Sequence, residues 1–126
     1  MKKIEDYGFD KIGQYFVKDG IIQCKYDVKK TERLSLVYAM GIDSKIKYIG
    51  TTIQGYIRPL SYHKNDVMKD VKNGIAQACA QGKTVDVYAR SINLMITMED
   101  LELDVSQALE QALISKYKPE WNNHIR

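Results

Sequence analysis

The sequence predicts a small α/β domain of the α+β kind, in which a mainly antiparallel central sheet is flanked by helices. Apolar residues alternate with a period of two in the first part of the chain, and after about residue 51 their period changes to about 3.6. The 126 residues leave room for one modest core and contain no internal repeat or low-complexity run. A single structural unit is therefore expected.

The first element predicted is a β-hairpin. Apolar runs over Gln14–Val17 and Ile21–Lys25 flank Asp19 and Gly20, a pair that favours a tight turn between two strands.

Two strands follow, Leu34–Met40 and Ile46–Thr51, joined by the turn-rich stretch Gly41–Lys45. Asp104 is suited to cap a last helix, which should stop before Pro119. The remaining predicted elements are a short helix over 53–62, a helix over 66–81 ending at Gly82, a strand over 84–89, an irregular loop or short helix over 91–103, and the last helix over 105–117. The tail, 118–126, is expected to be ordered only if something ties it down.

Composition and charge limit the function classes. No stretch approaches the roughly 20 apolar residues that a membrane span needs, and the N-terminus lacks the apolar core of a signal peptide. A cytoplasmic location without membrane contact is expected. Cys24 and Cys79 have no metal-ligand spacing and are expected to be small buried hydrophobes. The net charge of +3 permits contact with nucleic acid without arguing strongly for it.

The chain is rich in tyrosine, whose polar tip suits a wet surface that binds or reacts. If Met40 pairs with Ile46 across a five-residue loop, Tyr38 lies directly opposite Tyr48 on one face of the sheet. Gly50 would then leave that face open to a ligand. Taken alone, such a tyrosine pair is more often a packing pair than a catalytic one.

Four acidic residues precede the last helix. They could suggest a two-metal site, although negative residues near a helix N-terminus are more simply explained by the helix dipole. These residues are Glu99, Asp100, Glu102 and Asp104.

The wider pattern resembles the GIY-YIG nucleases. Leu36-Val37-Tyr38 and Tyr48-Ile49-Gly50 stand where that family has its two-part signature. Arg58 follows Gly50 by eight residues, Glu110 lies in the last predicted helix, and Asn122 follows that glutamate by twelve residues in a K-P-E-W-N context. Within the family, the short chain with its N-terminal extension is most similar to the endonuclease II group of T-even phages.

The resemblance implies a GIY-YIG fold, with residues 1–33 as a hairpin extension and residues 34–126 as the catalytic domain. It implies a DNA endonuclease that uses Mg²⁺, with Mn²⁺ as a substitute. The enzyme is expected to have low sequence specificity or to recognise a short site, and to act in phage-type DNA degradation or restriction. Glu110 is expected to hold the metal, because Mg²⁺ keeps most of its waters and needs few carboxylates. Arg58 is expected to contact the phosphate.

Tyr38 is implied as the general base, with Tyr48 holding or tuning it, although a phenol with an ordinary pKa is a poor base at neutral pH. Tyr62 is favoured over His63 as a further phosphate or water contact, because it follows Arg58 by four residues. Asn122 is expected to hydrogen-bond the backbone of the site.

Double-stranded DNA is the expected partner, and a homo-oligomer, dimer or tetramer, is expected for double-strand cutting. The candidate contacts to the DNA backbone are Lys29, Lys30, Arg33, Lys64, Lys69 and Lys72. The chain departs from the family at Thr51, where many members have a lysine directly after the YIG element. This departure leaves open a second interpretation, a catalytically impaired DNA-binding or regulatory module.

Overall fold

The computed structural model describes residues 2–64 and 69–125. Within these ranges the strands are β1 (Asp10–Lys18), β2 (Ile21–Tyr26), β3 (Leu36–Ile42), β4 (Lys45–Thr52), β5 (Val85–Ser91), β6 (Met95–Met98) and β7 (Leu101–Asp104). The α-helices are α1 (Lys69–Ala80) and α2 (Val105–Tyr117), and short 3₁₀ turns cover Ile4–Tyr7, Gly55–Ile57, Tyr62–Lys64 and Glu120–Ile125. Five strands form one antiparallel sheet in the order β2-β1-β5-β3-β4, so the predicted fold class is confirmed. Neither helix in the described ranges is long and apolar enough to cross a membrane.

The N-terminal hairpin forms as predicted around Asp19 and Gly20, both of which have positive φ. Its first strand pairs on the other side with β5. The hairpin therefore lies within the main sheet and is able to contact the elements packed on that sheet.

The β3–β4 hairpin forms, but the predicted register is wrong by two residues. Tyr38 lies opposite Gly50, and Tyr48 lies opposite Met40. The turn contains only Asp43 and Ser44, both with positive φ, instead of five residues. A β-bulge after Met40 leaves Lys47 as an extra residue on β4.

A shift of two residues keeps each side chain on its original face of the sheet. Tyr38 and Tyr48 therefore still share a face, as diagonal neighbours instead of direct partners. The bulge moves Ile46 to the opposite face, where it packs with Ile49 in the apolar core on that side of the sheet.

Two apolar layers cover the sheet, one on each face. Helix α1 packs on the face of the tyrosines through buried Val71, Ile75, Ala78 and Cys79. The start predicted for this helix at Asp66 lies outside the described residues.

Helix α2 packs on the other face and begins and ends as predicted, with the side chain of Asp104 accepting a 2.9 Å hydrogen bond from the Ser106 N–H. Leu109 and Leu113 face the core, whereas Ala108 and Ala112 are exposed.

Two predicted segments differ in the structure. The stretch 53–62 is an irregular loop with a 3₁₀ turn instead of a helix, because Gly55 has φ +76° and Pro59 cannot continue a helix. The stretch 91–103, expected to be a loop or a short helix, contains the β6–β7 hairpin. Its alternating residues surround a tight turn at Glu99, which has positive φ.

Candidate active site

Three tyrosines meet on the α1 face of the sheet. Tyr38 comes from β3, Tyr48 from β4, and Tyr62 from the loop between β4 and α1. Their ring centroids are 6.1 to 6.3 Å apart, in tilted or edge-to-face orientations that aromatic pairs prefer. The hydroxyls of Tyr38 and Tyr62 lie 2.6 Å apart and are hydrogen-bonded. The structure thus brings Tyr38 and Tyr48 of the signature together with Tyr62, the residue that was favoured over His63.

Gly50 provides the space that these rings occupy. A Cβ atom at this position would lie 2.8 Å from the Cζ and Oη atoms of Tyr38 and 3.0 Å from a ring carbon of Tyr48. The glycine therefore admits the tyrosine rings, instead of leaving an open face as the sequence suggested.

Arg58 lies on the loop that carries Tyr62. Its guanidinium carbon is 5.5 Å from the centroid of the Tyr62 ring, a cation–π distance. Burial alone would lower the pKa of Arg58, but the neighbouring phenols of Tyr62 and Tyr38 outweigh it and raise the pKa. A permanent positive charge thus sits beside the two bonded hydroxyls.

The loop is held by Tyr15, a residue that the sequence did not single out. The Tyr15 side chain is fully buried, its hydroxyl donates to the Pro59 carbonyl, and it accepts a 3.1 Å hydrogen bond from the Tyr62 N–H. The two bonds fix the backbone on either side of Leu60 and Ser61. A strand of the predicted N-terminal extension therefore positions Tyr62.

Gly55 fixes the start of the same loop. Its N–H donates to the Leu34 carbonyl at 3.0 Å, and a Cβ atom at this position would collide with the carbonyl oxygen of Glu32. Only glycine allows so close an approach at this positive φ.

Burial dominates the electrostatics of the tyrosines. Desolvation, followed by the neighbouring phenols Tyr62 and Tyr48, holds the pKa of Tyr38 well above its usual value, and Arg58 opposes this shift. Desolvation likewise raises the pKa of Tyr48, with further contributions from Tyr62 and from the negative charge of Glu110. Both phenols are neutral at physiological pH.

Glu110 lies on α2, and its negative charge contributes to the raised pKa of Tyr48. The carboxyl is about half-buried, and burial raises its pKa. The hydrogen bond that reaches it comes from Gln111 at 3.5 Å, the limit for such a bond. A partly desolvated carboxylate that has no stronger partner among the described residues is a suitable ligand for a cation.

The fit to a magnesium ion follows from this arrangement. Among the described residues no group of three or more histidine, cysteine, aspartate or glutamate side chains could hold a metal, so the cluster before α2 does not form a two-metal cage. A single carboxylate is sufficient for an ion that keeps its waters and binds substrate phosphate. Glu110, a carboxylate among the described residues, fits this requirement.

Asn122 makes the backbone contact that was expected of it. Its side chain accepts a 2.9 Å hydrogen bond from the Ile49 N–H and donates a 2.8 Å hydrogen bond to the Ile49 carbonyl. Ile49 lies between Tyr48 and Gly50 on the edge strand β4. The amide therefore takes the place of a neighbouring strand and fixes the backbone of the signature.

Two further contacts tie down the segment that carries Asn122. The Trp121 ring packs directly against Gly74 of α1, where a Cβ atom would lie 2.3 Å from the indole. Glu120 forms a 2.7 Å ion pair with Lys47, the bulged residue of β4.

The predicted DNA-contacting residues fall into two groups. Burial lowers the pKa of His63, and the positive charges of Lys64, Lys30 and Lys72 lower it further, which makes these three one electrostatic group. The His63 ring packs edge-on against Tyr15, which places it beside the tyrosine cluster instead of within it. The other three candidates, Lys29, Arg33 and Lys69, are exposed.

Thr51, at the position of the departure from the family, is partly exposed on β4. Strand alternation places it on the same face as Ile49, the face that α2 covers.

Comparison with solved structures finds the same architecture in nucleases. An alanine variant of EndoII from bacteriophage T4 superposes with a TM-score of 0.71 at 25% sequence identity, over 94% of each chain. The chain is structurally related to EndoII. This confirms the relationship predicted from the signature residues. The restriction endonuclease Hpy188I, solved with product DNA, has a TM-score of 0.51 at 19% identity over 99% of this chain and 83% of its own, a likeness of fold alone. No protein-family profile and no curated protein matches the sequence.

Proposed function

We propose that the chain is a magnesium-dependent DNA endonuclease of the GIY-YIG type that hydrolyses phosphodiester bonds. One observation carries the proposal: the bonded hydroxyls of Tyr38 and Tyr62 lie beside Arg58, within a fold shared with EndoII. Glu110 on α2 supplies a carboxylate whose negative charge reaches Tyr48 and raises its pKa.

Arg58 binds the scissile phosphate. Its planar fork is always charged and can give two parallel hydrogen bonds to phosphate oxygens. The Tyr62 ring beneath the guanidinium and the bonds from Tyr15 to the loop restrict its position. Charge that develops on the phosphate in the transition state therefore meets a preorganised cation.

Tyr38 orients the attacking water. When it donates its proton to Tyr62, its oxygen keeps lone pairs that can accept a hydrogen bond from water. The raised pKa of Tyr38 disfavours the phenolate form, which is the form that could remove a proton from water. Arg58 is the neighbour that lowers this pKa. Full action as a general base therefore depends on Arg58.

Glu110 holds the metal through its half-buried carboxylate. Bound Mg²⁺, or Mn²⁺ in its place, would polarise the phosphate and stabilise the leaving oxygen.

The substrate we propose is double-stranded DNA, cut with low or short sequence specificity in phage-type DNA degradation or restriction. The basic group around His63 supports contact with the phosphate backbone, which carries no sequence information by itself. Two of its structural neighbours are endonucleases, and one of these two was solved with DNA. We propose further that the enzyme acts as a homo-oligomer.

Cleavage of supercoiled plasmid tests the proposal. Wild-type protein with Mg²⁺ should nick the plasmid, EDTA should stop the reaction, and Glu110→Ala should be inactive while it still binds DNA. Glu102→Ala, on the exposed hairpin, is the matched control and should retain activity. Wild-type protein that binds duplex DNA but never nicks it contradicts the enzyme proposal.

That last result would favour the second candidate function, a catalytically impaired DNA-binding or regulatory module. The observation behind this alternative is Thr51, which replaces the lysine common in the family. Thr51→Lys separates the two candidates, because a module impaired by this residue should gain nicking activity.

A further inference from the structure

The loop that carries Arg58 exposes two isoleucines, Ile53 and Ile57, which together form the isoleucine tip. Ile53 is 78% exposed, more than any other large apolar side chain among the described residues, and Ile57 is 45% exposed. Single exposed apolar side chains are common on protein surfaces and by themselves require no explanation. These two differ because they flank one short turn and because Ile57 directly precedes the proposed phosphate contact.

The fold holds the isoleucine tip in place. The Gln54 N–H donates a 3.0 Å hydrogen bond to the side-chain hydroxyl of Thr52, which closes the bend around Ile53. The N–H of Gly55 donates to the segment before β3, and Tyr56 packs against the core on the tyrosine face of the sheet. The tip is therefore exposed by a braced loop, so its apolar surface is presented in a fixed position.

Positive charge borders the isoleucine tip. Arg58 follows it in the chain, and residues 29–33, which contact the turn at Gly55, carry three cations and one acid. Duplex DNA has the complementary arrangement, because its apolar base steps lie between two strands of phosphates. The charge around the tip therefore favours DNA as its partner.

The size of the tip also favours DNA over a protein partner. A specific protein interface buries about 800 Å² on each side, far more than two side chains supply. A wedge in DNA needs only one or two apolar side chains, which enter between neighbouring base pairs, and isoleucine is one of the residue types that do so. Two isoleucines on a braced loop meet this requirement.

We propose that the isoleucine tip inserts into a base step of duplex DNA close to the scissile phosphate. The Cα atoms of Ile57 and Arg58 are about 3.8 Å apart as chain neighbours, and that of Ile53 is at most about 18 Å from Arg58 even in an extended chain. Since DNA rises about 3.4 Å per base pair, the step lies within about five base pairs of the phosphate that Arg58 binds.

This inference rests on the proposed function and adds a source of sequence preference to it. Insertion separates stacked base pairs, and the pyrimidine–purine steps TA, CA and TG separate most readily. Cleavage should therefore favour phosphates within about five base pairs of such steps. This preference arises without any hydrogen bond from the tip to a base.

The fluorescence of 2-aminopurine tests the insertion, because this adenine analogue is quenched while it is stacked. Two duplexes are compared in EDTA, one with 2-aminopurine in a run of TA steps and one with 2-aminopurine in an A-tract. The anisotropy of labelled copies of each duplex establishes saturation. Wild-type protein should raise the fluorescence of the TA duplex about 3-fold and that of the A-tract duplex much less, because A-tracts are stiff.

Substitutions of exposed isoleucines locate the effect. A double variant with Ile53→Ser and Ile57→Ser should lose most of the fluorescence rise at saturation, whereas Ile53→Leu, which keeps an apolar side chain, should retain it. Ile21→Ser is the matched control and should behave as the wild type, because Ile21 is 63% exposed but lies at the start of β2. Circular dichroism establishes that each variant is folded.

Three results would reject the insertion. The first is a saturated wild type that leaves the TA duplex stacked, and the second is an equal fluorescence rise with the folded double variant. The third is an equal loss with Ile21→Ser, which would mean that the effect is not specific to the tip. If the double variant keeps the fluorescence rise but associates with itself more weakly than the wild type in sedimentation, the tip binds a second copy instead.

Plasmid cleavage with Mg²⁺ keeps this test separate from that of the proposed function. If the chain is a nuclease, the cut ends made by the wild type should be enriched near TA, CA and TG steps, and the double variant should lose this enrichment. Nicking without a fluorescence rise would reject the insertion alone. A fluorescence rise without nicking would reject the nuclease and leave the tip as part of a DNA-binding module, and a wild type that does not bind the duplexes would reject both proposals.

Discussion

The hydroxyls of Tyr38 and Tyr62 share a 2.6 Å hydrogen bond between a strand of the sheet and a loop outside it. Neither ring is more than 2% exposed, so bulk water competes little for this bond. It joins the signature strand to the segment that carries Arg58. The relative position of Arg58, the proposed phosphate contact, and Tyr38, the proposed water contact, thus depends on this bond.

We predict that Tyr38 and Tyr62 act as a unit. Tyr62→Phe should lower kcat about 10- to 100-fold with little change in KM, and Tyr38→Phe should lower it at least as much. The double variant should be no worse than Tyr38→Phe, because the two hydroxyls serve one alignment. Steady-state nicking assays on all four proteins measure the coupling, and strictly multiplicative losses would contradict it.

A second prediction concerns Tyr15, which acts on the reaction through the loop. Tyr15→Phe keeps the buried ring but removes both hydrogen bonds to the loop, so Arg58 and Tyr62 should lose their alignment. We expect kcat to fall about 10-fold and the chain to lose about 1 to 2 kcal/mol of unfolding free energy.

Tyr88→Phe is the matched control, because Tyr88 is also largely buried but belongs to the opposite core cluster. The two variants are compared at equal folded fraction, which melting curves establish. Equal kcat values for the two variants would show that Tyr15 affects stability alone.

Local signals explain what could be predicted from the sequence. The helix that carries Glu110 begins at an aspartate cap and ends before a proline, and both signals lie within the helix or beside it. Asp19 and Gly20 likewise predict the N-terminal hairpin, because they form its turn. Five signature positions were sufficient to identify the related fold.

Contacts between distant segments explain what could not. The bond from Tyr15 to the loop spans 47 residues, and no sequence pattern marks it. The close approach of Gly55 to the carbonyl oxygen of Glu32 likewise arises only when the chain is folded. The bulge at Lys47, which changed the register, leaves no local signal, because any residue type can occupy it.

A third prediction is that the carboxylate of Glu110, the proposed metal ligand, lowers the free energy of unfolding when no metal is bound. Its raised folded-state pKa means that ionisation is disfavoured in the folded protein, so the penalty is absent at low pH and appears as pH rises through the ordinary carboxyl range to the raised pKa. Glu110→Gln should therefore melt at a higher temperature than the wild type at pH 7, while the difference shrinks near pH 4. Added Mg²⁺ should raise the melting temperature of the wild type only.

The activity of Glu110→Gln should fall by at least about 1,000-fold at pH 7, since an amide cannot replace the carboxylate that we propose as the metal ligand. Differential scanning calorimetry at both pH values, with and without Mg²⁺, gives the stability comparison. A variant that melts lower than the wild type at pH 7 would mean that Glu110 has a stabilising partner in the folded chain.

A fourth prediction concerns the amide of Asn122. Asn122→Ala leaves the buried N–H and carbonyl of Ile49 without partners, which should cost about 2 to 3 kcal/mol of unfolding free energy. Asn122→Asp keeps the acceptor for the N–H but sets a carboxylate against the Ile49 carbonyl, so it should be no better than alanine at neutral pH. Urea unfolding measures both variants, and a loss below about 0.5 kcal/mol in each would contradict the bracing role.

The last prediction follows from the buried phenols and concerns alkaline pH. The pKa values of Tyr15, Tyr38 and Tyr48 are raised by burial, so above the ordinary phenol pKa of about 10 the unfolded chain releases protons that the folded chain keeps. Stability is retained below this pH and is lost as pH rises towards the folded-state pKa values, because fewer protons are bound in the unfolded state. Phenolate absorbance should therefore rise in two stages, first from exposed tyrosines and then together with the loss of circular dichroism. Complete ionisation of all nine tyrosines near pH 10 with native circular dichroism would show that the cluster is open to solvent.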